Sequence, residues 1–464
     1  MSCTKSMRLL KKIKIFLILL IILKAVIWII GAFGFFTHPH IIRQSDTLGV
    51  AYKYFLTWFK SPYLDCEWYR FFLPAVLTSG DNFGISPMEF PILNLLFSLF
   101  GFFGSYYSFV ISNIFFILLA LALALTFICY KIWSRISSSF EIPILLIPLY
   151  SISSDFIFRF MPDYISFILL LISFGMVWRN NNLRLLPIVL ASIALLIKPT
   201  SVILWLIVLI RNYCETLRRL WYFIPPLFIT FLYYMFGIEY LKSVSDMPYV
   251  YFHVEPRNFL KTIQEYFSQP YEILYLFSNS VFTQYSVILL FIIFLKLKRR
   301  LIKLELRLFI VLIFQLFAMA ILNGAHTFVH TYYLIGSSFT ICLMVNYAVI
   351  RSPYKVFLYI FMIFLYFHNL ETSYYRLKPL IRGNNILQDC KVLIKFEPRL
   401  NNEIKIRTHY SDSASLGVCM GKIQNSKTAR FGVYRKNEVL PKDCKVIKET
   451  NNLRLCEFSN SSSL

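Results

Sequence analysis

Long apolar runs separated by short polar connections dominate this chain. Runs near 15–36, 105–131, 142–157, 163–178, 183–198, 199–211, 219–237, 280–297, 304–323, 329–350 and 354–371 are each read as a helix within a bilayer. That makes about eleven, since roughly 17–25 apolar residues span the hydrocarbon core and the shorter middle runs can pair or be partly buried. The run 90–100 is too short to cross alone and reads as a re-entrant or interfacial segment ended by Gly101. The pattern predicts a transmembrane region over 1–372 and a polar tail over 373–464. Two further polar stretches are long, a first loop over about 37–89 and a second over about 241–280. The segment 48–59 in the first loop is compatible with a helix lying along the membrane surface.

The tail reads differently. Short β-like runs at 391–396, 403–406 and 444–447 alternate with Asn, Gly and Ser turns, the pattern of a small α+β domain. The fold class expected is therefore an all-α polytopic membrane protein with a small extracytoplasmic α+β C-terminal domain. No internal repeat of fixed period is evident.

Composition agrees with a membrane protein. The chain is 58% hydrophobic, above the roughly 45–50% of soluble domains, and carries 47 Phe and 30 Tyr. A net charge of +23 would point to nucleic acid if it were gathered on a soluble domain. Instead the cations fall in alternate connections between apolar runs, so no nucleic-acid partner is expected. One set comprises Lys5, Arg8, Lys11, Lys12 and Lys14 at the N-terminus, Lys131 and Arg135, and Arg179 and Arg184. The set continues with Arg211, Arg218 and Arg219, the run from Lys296 to Arg307, and Arg351 and Lys355. All fall on one side, which the positive-inside rule makes cytoplasmic. The first apolar run lacks a short core and a small-residue cleavage site, so it reads as an uncleaved helix. Among nine cysteines, Cys129 and Cys342 lie in apolar spans, while Cys390, Cys419, Cys444 and Cys456 lie in the tail. The tail set has no zinc-ligand spacing and predicts one or two disulfides in an oxidising compartment.

With sidedness set, the unusual polar residues share the outer face. They are Arg43, Gln44, Asp46, Glu89, Asp163, Lys198, His330, Tyr332 and Tyr333. A cavity open to the outside and lined by carboxylates, a Lys and an Arg suits a negatively charged lipid-linked substrate. Cations would hold a phosphate and a carboxylate would act as base. Each residue also has an ordinary reading. Asp46 can cap a helix or sit in a loop. Glu89 and Asp163 can open helices beside Pro91 and Pro162, and Lys198 can snorkel at a helix end. His330 can be a satisfied helix residue, and the two tyrosines can belong to an aromatic belt. Two histidines in one loop, His38 and His40, are weak evidence for a metal, and no metal site is assigned.

The ordered motifs resemble the GT-C superfamily of membrane glycosyltransferases. The nearer likeness is the bacterial polyprenyl-phosphate-sugar-dependent branch related to protein mannosyltransferases and aminoarabinose transferases. Its first outer loop commonly carries a His-x-Trp-Arg-Gln-Ala-Asp-Thr-like run, and here stands His40-Ile41-Ile42-Arg43-Gln44-Ser45-Asp46-Thr47. Ile42 replaces the usual Trp and Ser45 the usual Ala. An acid-x-Pro element opening a short apolar helix follows as Glu89-Phe90-Pro91 through Leu99-Phe100-Gly101. Pro162-Asp163, Lys198-Pro199-Thr200 and His330-Thr331-Tyr332-Tyr333 complete the set, which spans about 38–333. The tail matches nothing in the branch.

The resemblance implies transfer of one sugar, with inversion, from a polyprenyl-phosphate donor to an acceptor hydroxyl on a lipid, glycan or protein. It makes Asp46 the general base and has Glu89 orient the acceptor or Arg43. Lys198 and Arg43 would stabilise the leaving phosphate, Asp163 would support the pocket, and His330, Tyr332 and Tyr333 would contact phosphate or sugar. Gln44 and His40 join the substrate-binding set through the first-loop motif. No cofactor is called for, and participation of a divalent cation stays open. The expected place is a bacterial plasma membrane, multi-pass, with the site facing the periplasm or exterior. The main alternative is a transporter or flippase for a lipid-linked glycan, which favours charges near the bilayer midplane and related halves. An O-antigen polymerase or ligase, using diphosphate-linked glycans, fits the motif order poorly.

Overall fold

A computed structural model describes residues 90–99, 162–179, 185–210, 220–244, 386–401, 405–407, 424–425 and 430–458. It also describes scattered helical positions within 9–23, 50–55, 264–271, 310–318 and 356–363, and position 340. The expected spans 105–131, 142–157 and 280–297 lie outside the described residues, as does most of 15–36, 329–350 and 354–371.

Apolar helices packed side by side form the core of the described helical region. Helix α1 (Ile92–Ser98) is a short piece opening after Pro91. Helix α2 (Pro162–Arg179) starts at a proline, whose missing N–H is harmless in a first turn, and places Asp163 beside the positive end of the helix dipole. Helix α3 (Leu185–Ile197) packs against α2 and ends before Pro199, which disfavours helical backbone in the residue ahead of it. The chain then continues as a 3-10 helix over Pro199–Ile210, opened by the Ser201 amide donating to the Lys198 carbonyl at 3.1 Å. The 199–211 run is thus helical, but in the tighter form.

Helix α4 (Leu220–Leu232) runs into a π turn (Tyr233–Gly237) and then helix α5 (Ile238–Val244). The expected end near 237 is corrected: the helix continues seven residues further, to Val244. Its buried positions are Tyr222, Pro226, Thr230, Ile238 and Leu241, while Trp221, Leu227, Phe228, Phe231, Met235 and Phe236 are exposed. A water-facing helix would carry the opposite polarity on its exposed side. Trp221–Ser243 is the one helix among the described residues long and apolar enough to cross a membrane.

Buried hydroxyls tie the rods together. Ser173 of α2 donates to the Pro187 carbonyl at 2.5 Å and meets the Tyr222 hydroxyl at 2.7 Å, joining α2, α3 and α4. Trp205 packs edge-on against Phe223, with ring centroids 4.8 Å apart. Gln315 and Thr340, both fully buried, extend the network. Gln315 Nε2 donates to the Ile203 carbonyl at 3.1 Å, and Thr340 Oγ1 donates to Gln315 Oε1 at 2.7 Å. Inter-helical polar contacts of this kind hold helices together where the surroundings give no hydrophobic drive.

The tail forms a helix on a sheet. Helix α6 (Ile386–Phe396) covers one face of a five-stranded sheet in the order β2-β1-β3-β5-β4. The strands are β1 (Lys405–Arg407), β2 (Gln424–Asn425), β3 (Phe431–Arg435), β4 (Cys444–Glu449) and β5 (Leu453–Phe458). β1 pairs in parallel with β2 and β3, while β5 pairs antiparallel with β3 and β4. The expected strand at 391–396 is corrected to helix. Its Val and Ile favour a strand, but Asp389, Cys390, Leu393 and Glu397 recur at helical spacing and are buried. Cys390 and Leu393 pack on Phe431, Val433, Leu453 and Leu455, and Asp389 Oδ2 accepts two 2.8 Å bonds from Asn452. On the other sheet face, Tyr434, Cys456 and Phe458 gather with Leu440 and Cys444, and Cys444–Cys456 is a disulfide. Cys390 is disulfide-bonded as well.

Candidate functional site

Asp163 and Lys198 come together where α2 begins and α3 ends. The two helices run antiparallel, so their ends meet although the residues lie 35 positions apart. Lys198 Nζ stands 3.6 Å from Asp163 Oδ1, with side chains only 7% and 5% exposed. A buried charge pair in apolar surroundings is costly to form and holds only when its members face each other closely. Pro199 is what places Lys198 there. It ends α3 one residue after Ile197, so the lysine leaves the helix at its rim, while its amide still donates to the Ala194 carbonyl at 3.0 Å.

One turn into α2, Ser166 braces the same junction. Its Oγ lies 2.6 Å from the Ala194 carbonyl, 2.6 Å from Ser201 Oγ and 3.4 Å from the Lys198 carbonyl. A hydroxyl has one proton, so the arrangement that fits is donation to Ala194 and acceptance from Ser201. Ser166 thereby links α2, the last turn of α3 and the first turn of the 3-10 helix.

Phe90 and the short helix α1 reach the same end. Phe90, between Glu89 and Pro91, packs edge-to-face on Tyr233, with ring centroids 5.0 Å apart at 89°. Tyr233 in turn meets Tyr234 edge-on at 5.3 Å, and the Tyr234 hydroxyl donates to the Leu196 carbonyl at 3.3 Å, two residues before Lys198. Val50, Ala51, Tyr54 and Phe55 from the first loop are buried. Burial pushes the Tyr54 phenol well above its ordinary value, and the nearby Tyr233 phenol pushes it further.

Of the residues that sequence singled out, Asp163 and Lys198 are therefore in contact, and the Phe90-Pro91 element stands at their end of the bundle. His40, Arg43, Gln44, Asp46, Glu89, His330, Tyr332 and Tyr333 lie outside the described residues. Sequence reasoning passed over Ser166, Ser201, Tyr233 and Tyr234. Ser166 carried a signal in its position three residues after Asp163 on the same helix face. Among the described residues no group of three or more His, Cys, Asp or Glu could hold a metal ion.

The C-terminal domain holds a second charged cluster. Arg399 donates from Nε and Nη2 to the two Glu397 oxygens, each at 2.6 Å, and Arg430 Nη2 lies 2.9 Å from Glu457 Oε1. Both guanidinium groups sit over the Phe431 ring, at 5.2 and 5.4 Å from its centroid. The Arg399 side-chain hydrogen bonds hold the Glu397 carboxyl below its ordinary value, against the opposing effect of burial. This cluster closes the edge of the α6–sheet core and has the character of a structural clasp.

Comparison with known proteins finds no matching family model, no matching curated protein and no matching solved structure.

Proposed function

We propose that this chain is an integral membrane glycosyltransferase. It moves a single sugar from a polyprenyl-phosphate donor to an acceptor hydroxyl on the extracytoplasmic side of a plasma membrane. The observation that carries this reading is the buried Asp163–Lys198 pair, joined at one end of the bundle by the Phe90-Pro91 element. Three of the five motifs behind the GT-C resemblance thus share one place, although 72 residues separate Phe90 from Pro162. The apolar exposed side of α4 supports a lipid surround, and the Cys444–Cys456 disulfide supports an oxidising compartment for the tail.

In this mechanism the acceptor oxygen attacks C1 of the sugar as the C1–O bond to the lipid phosphate breaks. The carboxylate of Asp46 takes the hydroxyl proton, and the electron pair of the broken bond leaves on the phosphate. One displacement inverts the anomeric centre. Lys198, held by Asp163, lies in surroundings that amplify its attraction for the departing phosphate, with Arg43 as the second cation. Glu89 orients the acceptor or Arg43, and Gln44, His40, His330, Tyr332 and Tyr333 line the substrate groove. The phosphate monoester is already a good leaving group, so charge stabilisation suffices without a general acid.

The test uses the full chain in detergent with polyprenyl phosphates carrying different radiolabelled sugars and a cell-envelope fraction as acceptor. Label leaving the lipid with the wild type, and greatly slowed with Lys198→Gln, supports the reading. Lipid that is bound or moved across proteoliposomes with its sugar bond intact assigns the chain to transport instead.

A further inference from the structure

Halfway along its length the α4–α5 rod abandons α-helical spacing for a π turn over Tyr233–Gly237. Such insertions inside α-helices are rare and gather at functional sites. The turn opens on Tyr233 and closes on Gly237. A Cβ on Gly237 would stand 2.8 Å from Cδ2 and 3.1 Å from Cε2 of Tyr233, so the Tyr233 ring occupies the space a side chain at 237 would need. Any side chain at 237 would push that ring outward.

The ring so held is the surface on which Phe90 rests edge-to-face, at 5.0 Å. Tyr54, four residues after Val50 in the same first-loop stretch, is buried as well. The residue after Tyr233, Tyr234, faces the other half of the site and donates to the Leu196 carbonyl at 3.3 Å. Two consecutive tyrosines therefore hold the two halves together. One bears Phe90, the residue after Glu89, and the other bonds the last turn of α3, which presents Lys198.

We propose that Tyr233, seated on Gly237, is a positioning residue that sets the Phe90–Pro91 segment against the Asp163–Lys198 end. The role rests on the glycosyl-transfer reading: Tyr233 acts through Phe90 on Glu89, its neighbour in sequence, and touches no reacting atom. The phosphate-holding pair stands on α2 and α3 and does not depend on this ring. Displacing the ring should therefore slow turnover while leaving donor binding in place.

The experiment is a double-mutant cycle in the full chain, pairing Gly237→Ala with Tyr233→Ala. In the wild-type background Gly237→Ala is expected to lower kcat roughly ten- to hundredfold, the scale of an ångström-level misplacement, with donor KM unchanged within about twofold. In the Tyr233→Ala background the same change should do nothing further, because the ring it would strike is gone. Helix propensity alone would make Gly237→Ala favourable in both backgrounds. Hydrogen exchange supplies a readout independent of chemistry: Gly237→Ala should speed exchange over 90–99 and leave 185–197 unchanged. Equal effects of Gly237→Ala in both backgrounds, or unchanged kcat together with unchanged exchange over 90–99, overturns the assignment. If the wild type transfers no sugar from any donor, the glycosyl-transfer reading falls, and with it Tyr233's role in catalysis. The exchange cycle then decides separately whether Tyr233 holds residues 90–99.

Discussion

Replacing Lys198 by Met removes the ammonium and keeps most of the stem, and it should destabilise the protein strongly. Asp163 remains 5% exposed beside the place its counterion occupied at 3.6 Å. At that separation and an effective dielectric of about 20, the attraction lost is about 4–5 kcal/mol. Breaking one side of a buried pair is measured at about 3–5 kcal/mol, so the two routes agree. Adding Asp163→Leu removes the stranded carboxylate along with its desolvation penalty, and the double variant should return to within about 1–2 kcal/mol of the wild type. The assay is unfolding of the detergent-solubilised chain for wild type, both single variants and the double variant. The expected order places Lys198→Met lowest and the double variant near wild type. Under the proposed mechanism transfer activity should stay low in the double variant, since the cation assigned to the leaving phosphate is still missing. A loss below about 1 kcal/mol for Lys198→Met would mean that water screens the pair, which refutes the buried-site account.

In the C-terminal domain, Glu397 is held below its ordinary 4.5 chiefly by the hydrogen bonds from Arg399. A carboxyl depressed on folding contributes stability that is full above its unfolded value and fades as pH falls through the folded one. Exchange protection of β3, corrected for intrinsic rates, should weaken as pH drops below about 4.5, and Glu397→Gln should flatten that dependence. The Cys444–Cys456 bridge closes a loop with a sequence separation of 12, so Cys456→Ala should lower denaturant resistance of the tail by about 3 kcal/mol. In intact cells a bulky maleimide should reach Cys444 of the Cys456→Ala variant from outside, and should leave the oxidised wild-type pair unlabelled.

Punctuation made much of the helical region legible. Pro162, Pro199 and the flanking Arg179 and Arg184 mark the ends of α2 and α3 to within two residues of the expected limits. The alternating basic connections put Asp163 and Lys198 on one expected face, but their pairing had no sequence signal and comes from the packing of α2 against α3. Gly237 misled, because it looks like a helix stop. It is a glycine for close approach, with the Tyr233 ring in the space a Cβ would fill, and the helix carries on. Glu239 and Lys242, beyond the expected end of the run, pair across the following helical turn. At 391–396 the β-branched residues outweighed a helical burial pattern that becomes plain only once Asp389 and Glu397 are counted as buried. The 3-10 form of Pro199–Ile210 had no sequence signal, since its composition is that of any apolar span. Ser166 was passed over because a lone serine in an apolar helix usually bonds its own backbone, whereas this one bonds across to α3.

The measurement that tests the central claim most directly compares wild type with Asp46→Asn. Both are purified in detergent and given a radiolabelled polyprenyl-phosphate hexose and envelope acceptor. The account predicts that the two bind the lipid equally and that only the wild type moves label off it, by transfer or slow hydrolysis. Binding by both with no reaction across several sugars, or full turnover by Asp46→Asn, would contradict it.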